Sequence, residues 1–273
     1  VETYNGMFAI AFYDTKEKKM LLIRDRMGVK PLYYFWDGTN FAFASEIKAL
    51  LEFPFIKKNK SINYTALNEF LHLGYTGIEG TIYTNVYKVP AGSYIEVSEN
   101  GINIQSYWST YNCIQPETID DFYSAKEILR DLVEQSVRYR LKSDVPYGTF
   151  LSGVIDSSLV TAVAQKNLSS RLNTFTIAFA ENKYDESQYA RQVAEYLGTN
   201  HTEMTVTQKD ALNLIPSILD TFDEPFADSS AIPTMLVSKL AKTQATMILS
   251  GDGGDELFMG YGAYHWAERL QKQ

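Results

Sequence analysis

The sequence predicts two dissimilar regions: an antiparallel α+β region, then an α/β region with a mostly parallel sheet and helices on both faces. Three observations predict this. Up to about Tyr107, strand-like runs come in neighbouring pairs joined by short turns. From Phe122 onward such runs alternate with helical stretches, the rhythm of βαβ units. Two glycine-rich polar loops each follow a short strand and open a helix, which is where α/β sheets bind ligands.

In the first region, residues 7–13 read as a buried strand, 14–17 as a turn and 20–23 as the returning strand of a hairpin. Residues 25–31 are a polar connection punctuated by Gly28 and Pro31. Residues 32–36 and 41–44 pair around Asp37-Gly38, residues 45–51 turn helical and 64–73 make a short helix. Residues 93–97 and 102–107 form a hairpin about Asn100-Gly101, a type I′ turn signal. Residues 111–121 contain Pro116, lack periodicity and read as the linker, so the expected division is 1–115 and 116–273.

In the second region, residues 122–141 read as a long helix with an apolar stripe through Ile128, Leu132 and Val137. Strand and helix then alternate: 148–151 and 157–167, 174–179 and 186–197, 202–206 and helical segments to about 219. Residues 233–241 are helical, 246–249 a strand, and a helix begins at 255.

The 273 residues suffice for two domains, and the apolar 45% can fill their cores. With 25 basic and 33 acidic side chains the net charge is −8, which argues against a general nucleic-acid surface. The single cysteine, Cys113, excludes an internal disulfide and points to a reducing, cytoplasmic setting. No apolar run reaches membrane-spanning length, and the start lacks a signal-peptide core. The missing initial Met suggests a fragment.

The first loop runs Leu151-Ser152-Gly153-Val154-Ile155-Asp156-Ser157-Ser158. Strand-loop-helix geometry aims backbone amides and a helix N-terminus at phosphate oxygens. Ser152, Ser157 and Ser158 add hydroxyl donors, and Gly153 permits a tight path. A carboxylate beside polyphosphate is repulsive unless a cation intervenes, so Asp156 reads as a magnesium ligand. Helix capping by Asp156 or Ser157 explains the same residues more plainly. The Gly-Lys-Ser/Thr ending of a Walker loop is missing.

The second loop, Ser250-Gly251-Asp252-Gly253-Gly254-Asp255-Glu256, carries three carboxylates within five residues. Asp255 is the expected second magnesium ligand, opposite Asp156. Favourable interaction with the helix dipole also explains Asp255 and Glu256, but leaves the glycine density unexplained. Glu224, in an acidic break between helices, could accept a proton from an amine nucleophile or sit in a solvated turn. Arg24, Asp25 and Arg26 read as a surface or interdomain salt network. His72, His201 and His265 make no zinc pattern, and Cys113 reads as an inert thiol.

In this order, the motifs resemble the glutamine-hydrolysing asparagine synthetases over essentially the whole chain. Residues 5–9, 24–34 and 43–50 resemble the latter part of their N-terminal nucleophile hydrolase-like glutaminase domain. Residues 150–158, 223–233 and 250–261 resemble their synthetase domain, of adenine nucleotide alpha hydrolase-like fold. The resemblance implies a ligase that uses ATP and Mg2+ to amidate aspartate through β-aspartyl-AMP, with ammonia derived from glutamine. It implies a cytoplasmic enzyme without nucleic-acid or membrane partners, and it allows a homodimer. By similarity, Ser152, Gly153, Asp156, Ser157 and Ser158 would hold pyrophosphate, with Asp156 and Asp255 holding the metal. Leu151 and Ile177 would hold adenosine, Ser250, Gly251 and Asp252 would line the nucleotide or acyl-adenylate site, and Glu224 would handle ammonia.

Three departures accompany the resemblance. The family's N-terminal catalytic cysteine and its Arg and Asn-Gly substrate motifs are missing from this sequence, so it is not expected to hydrolyse glutamine as written. Val154 stands where the family's phosphate loop has a second glycine, a costly choice if that position needs positive φ or close phosphate approach. The family supplies a synthetase lysine beyond the point where this sequence ends, so the displayed chain is expected to be inactive. Alternatives are a related amidotransferase or β-lactam-forming synthetase acting on another carboxylate, another ATP pyrophosphatase, or an inactive nucleotide-binding protein.

Overall fold

A computed structural model of the chain describes residues 3–114, 117–180 and 185–271. Pro116 of the expected linker lies outside the described residues. The chain forms two compact units by its contacts. One comprises Val1–Thr118 and Pro216–Asp228, the other Ile119–Ile215 and Ser229–Gln273.

The first unit holds strands β1 (Ala9–Asp14), β2 (Lys19–Arg24), β3 (Tyr33–Trp36) and β4 (Phe41–Ala44). Helices α1 (Ile47–Leu50), α2 (Pro54–Asn59) and α3 (Tyr64–Leu73) follow, then β5 (Val86–Lys88), β6 (Ser93–Ser98) and β7 (Gly101–Ser106). One antiparallel sheet has the order β1-β2-β6-β7 and a second the order β4-β3-β5. Side chains alternate along β3, and the two faces build different cores. Tyr34 joins Leu22, Leu32, Val89 and Ile95, whereas Phe35 joins Ala42, Ile47, Leu50, Ile56 and Val86. Burial pushes the Tyr34 phenol up to about 12. The expected hairpins form, with two corrections. β1 is not the buried strand expected, since Phe12 and Tyr13 are 55% and 52% exposed. The second hairpin pairs Ser98 with Gly101 and turns at Glu99-Asn100, where Asn100 lacks the positive φ of the expected type I′ turn. β5 was not expected: three residues carry too little pattern, and it is set by pairing with β3.

The salt-network reading of Arg24 and Asp25 is corrected. Asp25 is 1% exposed, and its carboxylate accepts from the amides of Phe8, Val29 and Lys30. The Arg24 guanidinium donates to the carbonyls of Gly28, Lys30 and Val89. Both side chains satisfy backbone groups of the surrounding loops, a demand that sequence spacing does not display.

The second unit begins with α4 (Phe122–Arg140), β8 (Tyr147–Phe150), α5 (Ile155–Lys166), β9 (Asn173–Phe179), α6 (Ser187–Leu197) and β10 (Asn200–Val206). Helix α7 (Gln208–Thr221) leads out of it, with Pro216 inside the helix where the contacts change unit. The chain returns through α8 (Ala231–Ala241), β11 (Met247–Leu249), α9 (Gly254–Phe258) and α10 (Gly262–Gln271). Its sheet is parallel throughout, in the order β10-β9-β8-β11. Helices cover both faces, as expected. Phe175 packs with Ala241 and Ala245 on one face. Val137, Ala164, Leu172 and Leu249 form a core on the other, with Leu151, Ala190 and Ala194 close by in a smaller cluster. Gly148 lies where a side chain would meet Asn173 O at 2.6 Å and the Phe175 ring at 2.8 Å, so its bareness admits the ring.

The apolar stripe expected on α4 is corrected in part. Val137 is buried, but Ile128 and Leu132 are 47% and 57% exposed, because α4 joins the core only near its C-terminal end. The single helix expected from 255 is two, broken where Met259 takes φ 57° before Gly260. Among the described residues no helix is long and apolar enough to cross a membrane.

Candidate active site

Strand β8 delivers the first loop to the carboxyl edge of the parallel sheet. The Leu151 amide donates to Phe175 O at 3.0 Å, and Thr176 Oγ1 donates to Leu151 O, so the loop root is fixed to β9. Gly153 then takes φ +85°. A side chain there would meet the Ala190 amide nitrogen and Tyr189 Cβ at 2.6 Å, so only glycine turns the chain this close to α6. Val154 is the N-cap of α5 at φ −80°, ψ 171°, with no side-chain cap for the first-turn amides. The strain that Val154 would carry at positive φ therefore does not arise, because Gly153 makes the turn.

The Ser157 hydroxyl organises this loop from below. It accepts from Ser152 N at 3.2 Å, lies 2.8 Å from Ser152 Oγ and donates to Val154 O at 3.3 Å. Thr161 Oγ1 donates to Ser157 O at 2.7 Å and lies 2.9 Å from Thr149 Oγ1, so a column of hydroxyls ties α5 to β8. Such buried, satisfied bonds contribute about 1 kcal/mol each. The Ser158 hydroxyl oxygen is buried with no partner among the described residues.

The second loop closes on the first. Ser250 Oγ donates to Asp252 Oδ2 at 2.8 Å, Gly253 takes φ +92°, and Gly254 N donates to Gly251 O at 3.1 Å. A side chain at Gly251 would meet Asp156 Cβ and Ser157 N, each at 2.9 Å. One at Gly254 would collide with the Asp156 carboxylate. Bare glycines thus let Asp156 reach the backbone beside Asp255, and Asp255 in turn lies against Gly260. Glu256 accepts from the Tyr261 hydroxyl at 3.0 Å, a bond that holds the Tyr261 phenol above its ordinary range, with burial adding to the effect.

The two loops, β9 and α8 enclose a cavity of about 400 Å³. Leu151, Ser152, Asp156 and Ser157 line it from the first loop and Ile177 from β9. Ser250, Gly251, Asp252 and Asp255 line it from the second loop. The structure therefore gathers nine residues predicted from the sequence at one site. Gly153 and Ser158 are not among its lining: Gly153 faces α6, and the Ser158 hydroxyl is buried. Glu224 belongs to the first unit.

Sequence reading missed part of the wall. Pro233, Thr234 and Val237 line the cavity from α8; Val237 follows Thr234 by three residues and Pro233 by four, a usable sign of one helix face. Glu186 also lines it, although its position read as an ordinary helix entrance. Beside it, Asp185 accepts from Ser187 N and Oγ and from Phe179 N. Burial opposes its charge, yet these bonds hold its carboxyl below the usual range.

Among the described lining residues, Asp156, Glu186, Asp252, Asp255 and Glu256 are acids and none is Lys or Arg. A polyphosphate there needs a cation between itself and the carboxylates. The Asp156–Asp255 pair suits a hard divalent ion that keeps several waters, and the described residues contain no cage of three or more His, Cys, Asp or Glu.

In the first unit, Glu224 is 13% exposed at its side chain and held by three contacts. Oε1 accepts from Thr76 Oγ1 and Ile82 N at 2.9 Å each, and Oε2 faces Lys88 Nζ at 3.2 Å. Asp223 accepts from Ile47 N at 2.5 Å and pairs with Lys48 at 3.4 Å.

A parallel sheet with two glycine-rich loops closing on an acidic cavity at its strand ends defines an α/β protein with a site of the nucleotide-binding kind. Family comparison is consistent with that class and narrows it. The model of the asparagine synthase family matches residues 128–273, and that of a glutamine amidotransferase domain matches residues 1–108. The chain belongs to the asparagine synthase family. It is 38% identical over 267 residues to a putative glutamine-hydrolysing asparagine synthetase 2 of Methanocaldococcus jannaschii, covering 96% of this chain and 50% of that protein. It is 34% identical to the glutamine-hydrolysing asparagine synthetase 1 of Bacillus subtilis, covering 95% and 40%. Asparagine synthetase B of Escherichia coli is 30% identical, covering 100% and 46%. The chain thus spans about half the length of the curated relatives it matches. Among solved structures, a glutamine-dependent NAD+ synthetase from Acinetobacter baumannii is 13% identical, with 93% and 61% coverage and a TM-score of 0.37.

Proposed function

We propose that the protein carrying this chain is an ATP-dependent ligase that amidates aspartate to asparagine, with ammonia drawn from glutamine. Residues 1–115 are part of a glutaminase domain and 116–273 part of the synthetase domain. The observation that carries the reading is the meeting of Asp156 with Gly254, which joins two separate loops into one acidic site. In this reading Leu151 and Ile177 hold adenosine. Ser152, Gly153, Ser157 and Ser158 hold or shape the pyrophosphate loop. Ser250, Gly251 and Asp252 line the acyl-adenylate, and the enzyme works in the cytoplasm as a homodimer.

Mg2+, held by Asp156 and Asp255, would offset phosphate charge. An oxygen of the aspartate side-chain carboxylate attacks the α-phosphorus, and the bond to pyrophosphate breaks. Ammonia then attacks the acyl carbon, the bond to AMP breaks, and the nitrogen gives up a proton, for which Glu224 is the assigned acceptor. The loop amides and hydroxyls orient the leaving pyrophosphate.

The test is aspartate-dependent exchange of labelled pyrophosphate into ATP by the full-length protein, with product identification against competing carboxylic acids. Exchange with aspartate supports the reading. Exchange with another acid alone supports a related amidotransferase or β-lactam-forming synthetase, and no exchange with any acid supports a catalytically inactive nucleotide-binding protein.

A further inference from the structure

We infer that Asp185 is the positioning residue for the adenosine wall of the cavity: one of its carboxylate oxygens holds the end of β9 to the start of α6. The inference rests on the reading of the cavity as a nucleotide site with Ile177 beside adenosine. Asp185 is not itself among the lining residues, but its partners are. Oδ1 accepts from Phe179 N at 3.3 Å and from Ser187 N at 3.2 Å, and Oδ2 accepts from Ser187 Oγ at 3.0 Å. Phe179 is the last residue of β9, Ser187 is the first of α6, and both line the cavity. By Phe179 the ladder between β8 and β9 has run out, its last pair being Phe150 with Phe175. Asp185 Oδ1 takes the Phe179 amide in place of a strand.

Arg191, which can only donate, fixes the sense of this network. Its Nη2 donates to Ser187 Oγ at 3.1 Å, so the Ser187 hydroxyl accepts there and spends its own proton on Asp185. Its Nε lies 3.1 Å from Glu203 Oε2 on β10, which braces the guanidinium from the edge of the sheet. Ser187 is 1% exposed, so its hydroxyl joins the carboxylate to the guanidinium out of water. The contact of α6 with the phosphate loop has separate support. Leu151, Ala190 and Ala194 pack together there, and Gly153 lies against Tyr189. Asp185 therefore governs the side of the cavity that β9 and Ile177 form, and not the side that Ser152 and Ser157 form.

The experiment compares Asp185→Ala, Asp185→Asn, Arg191→Met and Ile177→Asp in the full-length protein. Calorimetric titration measures binding of AMP, which carries adenosine without pyrophosphate, and separately of magnesium pyrophosphate. Asp185→Ala is expected to weaken AMP binding about tenfold, with pyrophosphate affinity within about twofold of the parent, because a wall no longer preorganised must be ordered by the ligand. Asp185→Asn keeps an oxygen for the two amides and should recover most of the loss. Arg191→Met, which leaves Asp185 in place, should give a smaller loss in the same quantity. Parent-like AMP affinity in Asp185→Ala beside a defective Ile177→Asp would overturn the inference and leave the adenosine reading standing. Equal losses for AMP and pyrophosphate with a lowered melting temperature in both Asp185→Ala and Asp185→Asn would make the carboxylate merely structural and overturn it too. Parent-like AMP affinity in Ile177→Asp would remove the reading beneath it.

Discussion

The Asp156 carboxylate rests against the α-carbon of Gly254, in the space a side chain at that position would fill. Asp156 lies in the first turn of α5 and Gly254 is the first residue of α9, so this one approach unites two loops far apart in sequence. Gly254→Ala has no positive-φ penalty, unlike the same change at Gly253, where φ is +92°. Its methyl group would push Asp156 aside. We expect about a tenfold loss of magnesium-ATP affinity with little change in melting temperature, because a misplaced ligand costs binding rather than core packing. Calorimetric titration checks this. Affinity equal to the parent's would separate Asp156 from nucleotide binding, and chelation of magnesium should abolish binding in the parent.

Gly153→Ala should act on stability. The residue sits at φ +85°, and an added Cβ would meet α6 backbone and Tyr189 at 2.6 Å. The left-handed conformation alone costs about 1–2 kcal/mol for a non-glycine residue, and the collision adds to it. Urea denaturation of the variant should show a lower midpoint in the transition that includes α5 and α6. A midpoint equal to the parent's would mean that the loop relaxes at no cost.

Val154→Gly should do the reverse, changing binding more than stability. Val154 already has an extended backbone at φ −80°, so the substitution relieves no strain. Its half-exposed side chain lines the cavity, and removing it lets a phosphate approach the backbone of the loop. Pyrophosphate should bind up to about tenfold more tightly, since backbone bareness is what glycine contributes at such loops. Equal affinity would place the phosphate elsewhere along the loop.

These loops were legible because glycine, serine and aspartate in a short span are chemically conspicuous, and the strand–helix alternation around them is periodic. The strain feared at Val154 was not legible, because sequence cannot say which of two adjacent residues turns the chain. Gly153 does so, and only the approach of Tyr189 and Ala190 decides it. The partners of Glu224 were hidden for another reason. Thr76 and Ile82 are 148 and 142 residues away from it, a pairing no local pattern carries. Asp25 was misread because an Arg-Asp-Arg run looks solvated until its backbone partners are placed.

Asp25→Ala should destabilise the first unit strongly. The carboxylate is 1% exposed and terminates three backbone amides, those of Phe8, Val29 and Lys30. A buried amide left without a partner costs about 1–3 kcal/mol, and these three are part-buried, so the loss falls below three full penalties but is still a sizeable share of a domain's stability. Asp25→Asn keeps one acceptor oxygen and replaces the other with a donor facing donors, so it should be destabilising as well, though less than alanine. Hydrogen exchange at Val29 and Lys30 gives the direct reading. Protection unchanged in Asp25→Ala would refute the clamp.

His201 gives the second unit a pH dependence whose sign follows from its surroundings. The ring lies on β10, with Nδ1 2.9 Å from Thr174 Oγ1 and Nε2 buried without a partner among the described residues. Burial holds its folded pKa below the ordinary 6.5; Arg191 pushes the same way, and Glu203 opposes both. A second ring proton would leave a buried donor with nothing to accept it. Below 6.5 the unfolded chain therefore binds a proton that the folded one refuses, so stability falls with falling pH until the folded value is reached. Above 6.5 both states are neutral at this group, and its contribution is flat. His201→Gln removes the titration, so the urea midpoint of the parent should drop more steeply than the variant's as pH is lowered from 7 toward 5, at up to about 1.4 kcal/mol per pH unit for a single group. Parallel midpoints over that range would mean that His201 takes up its proton equally in both states, and would contradict its burial as a neutral ring.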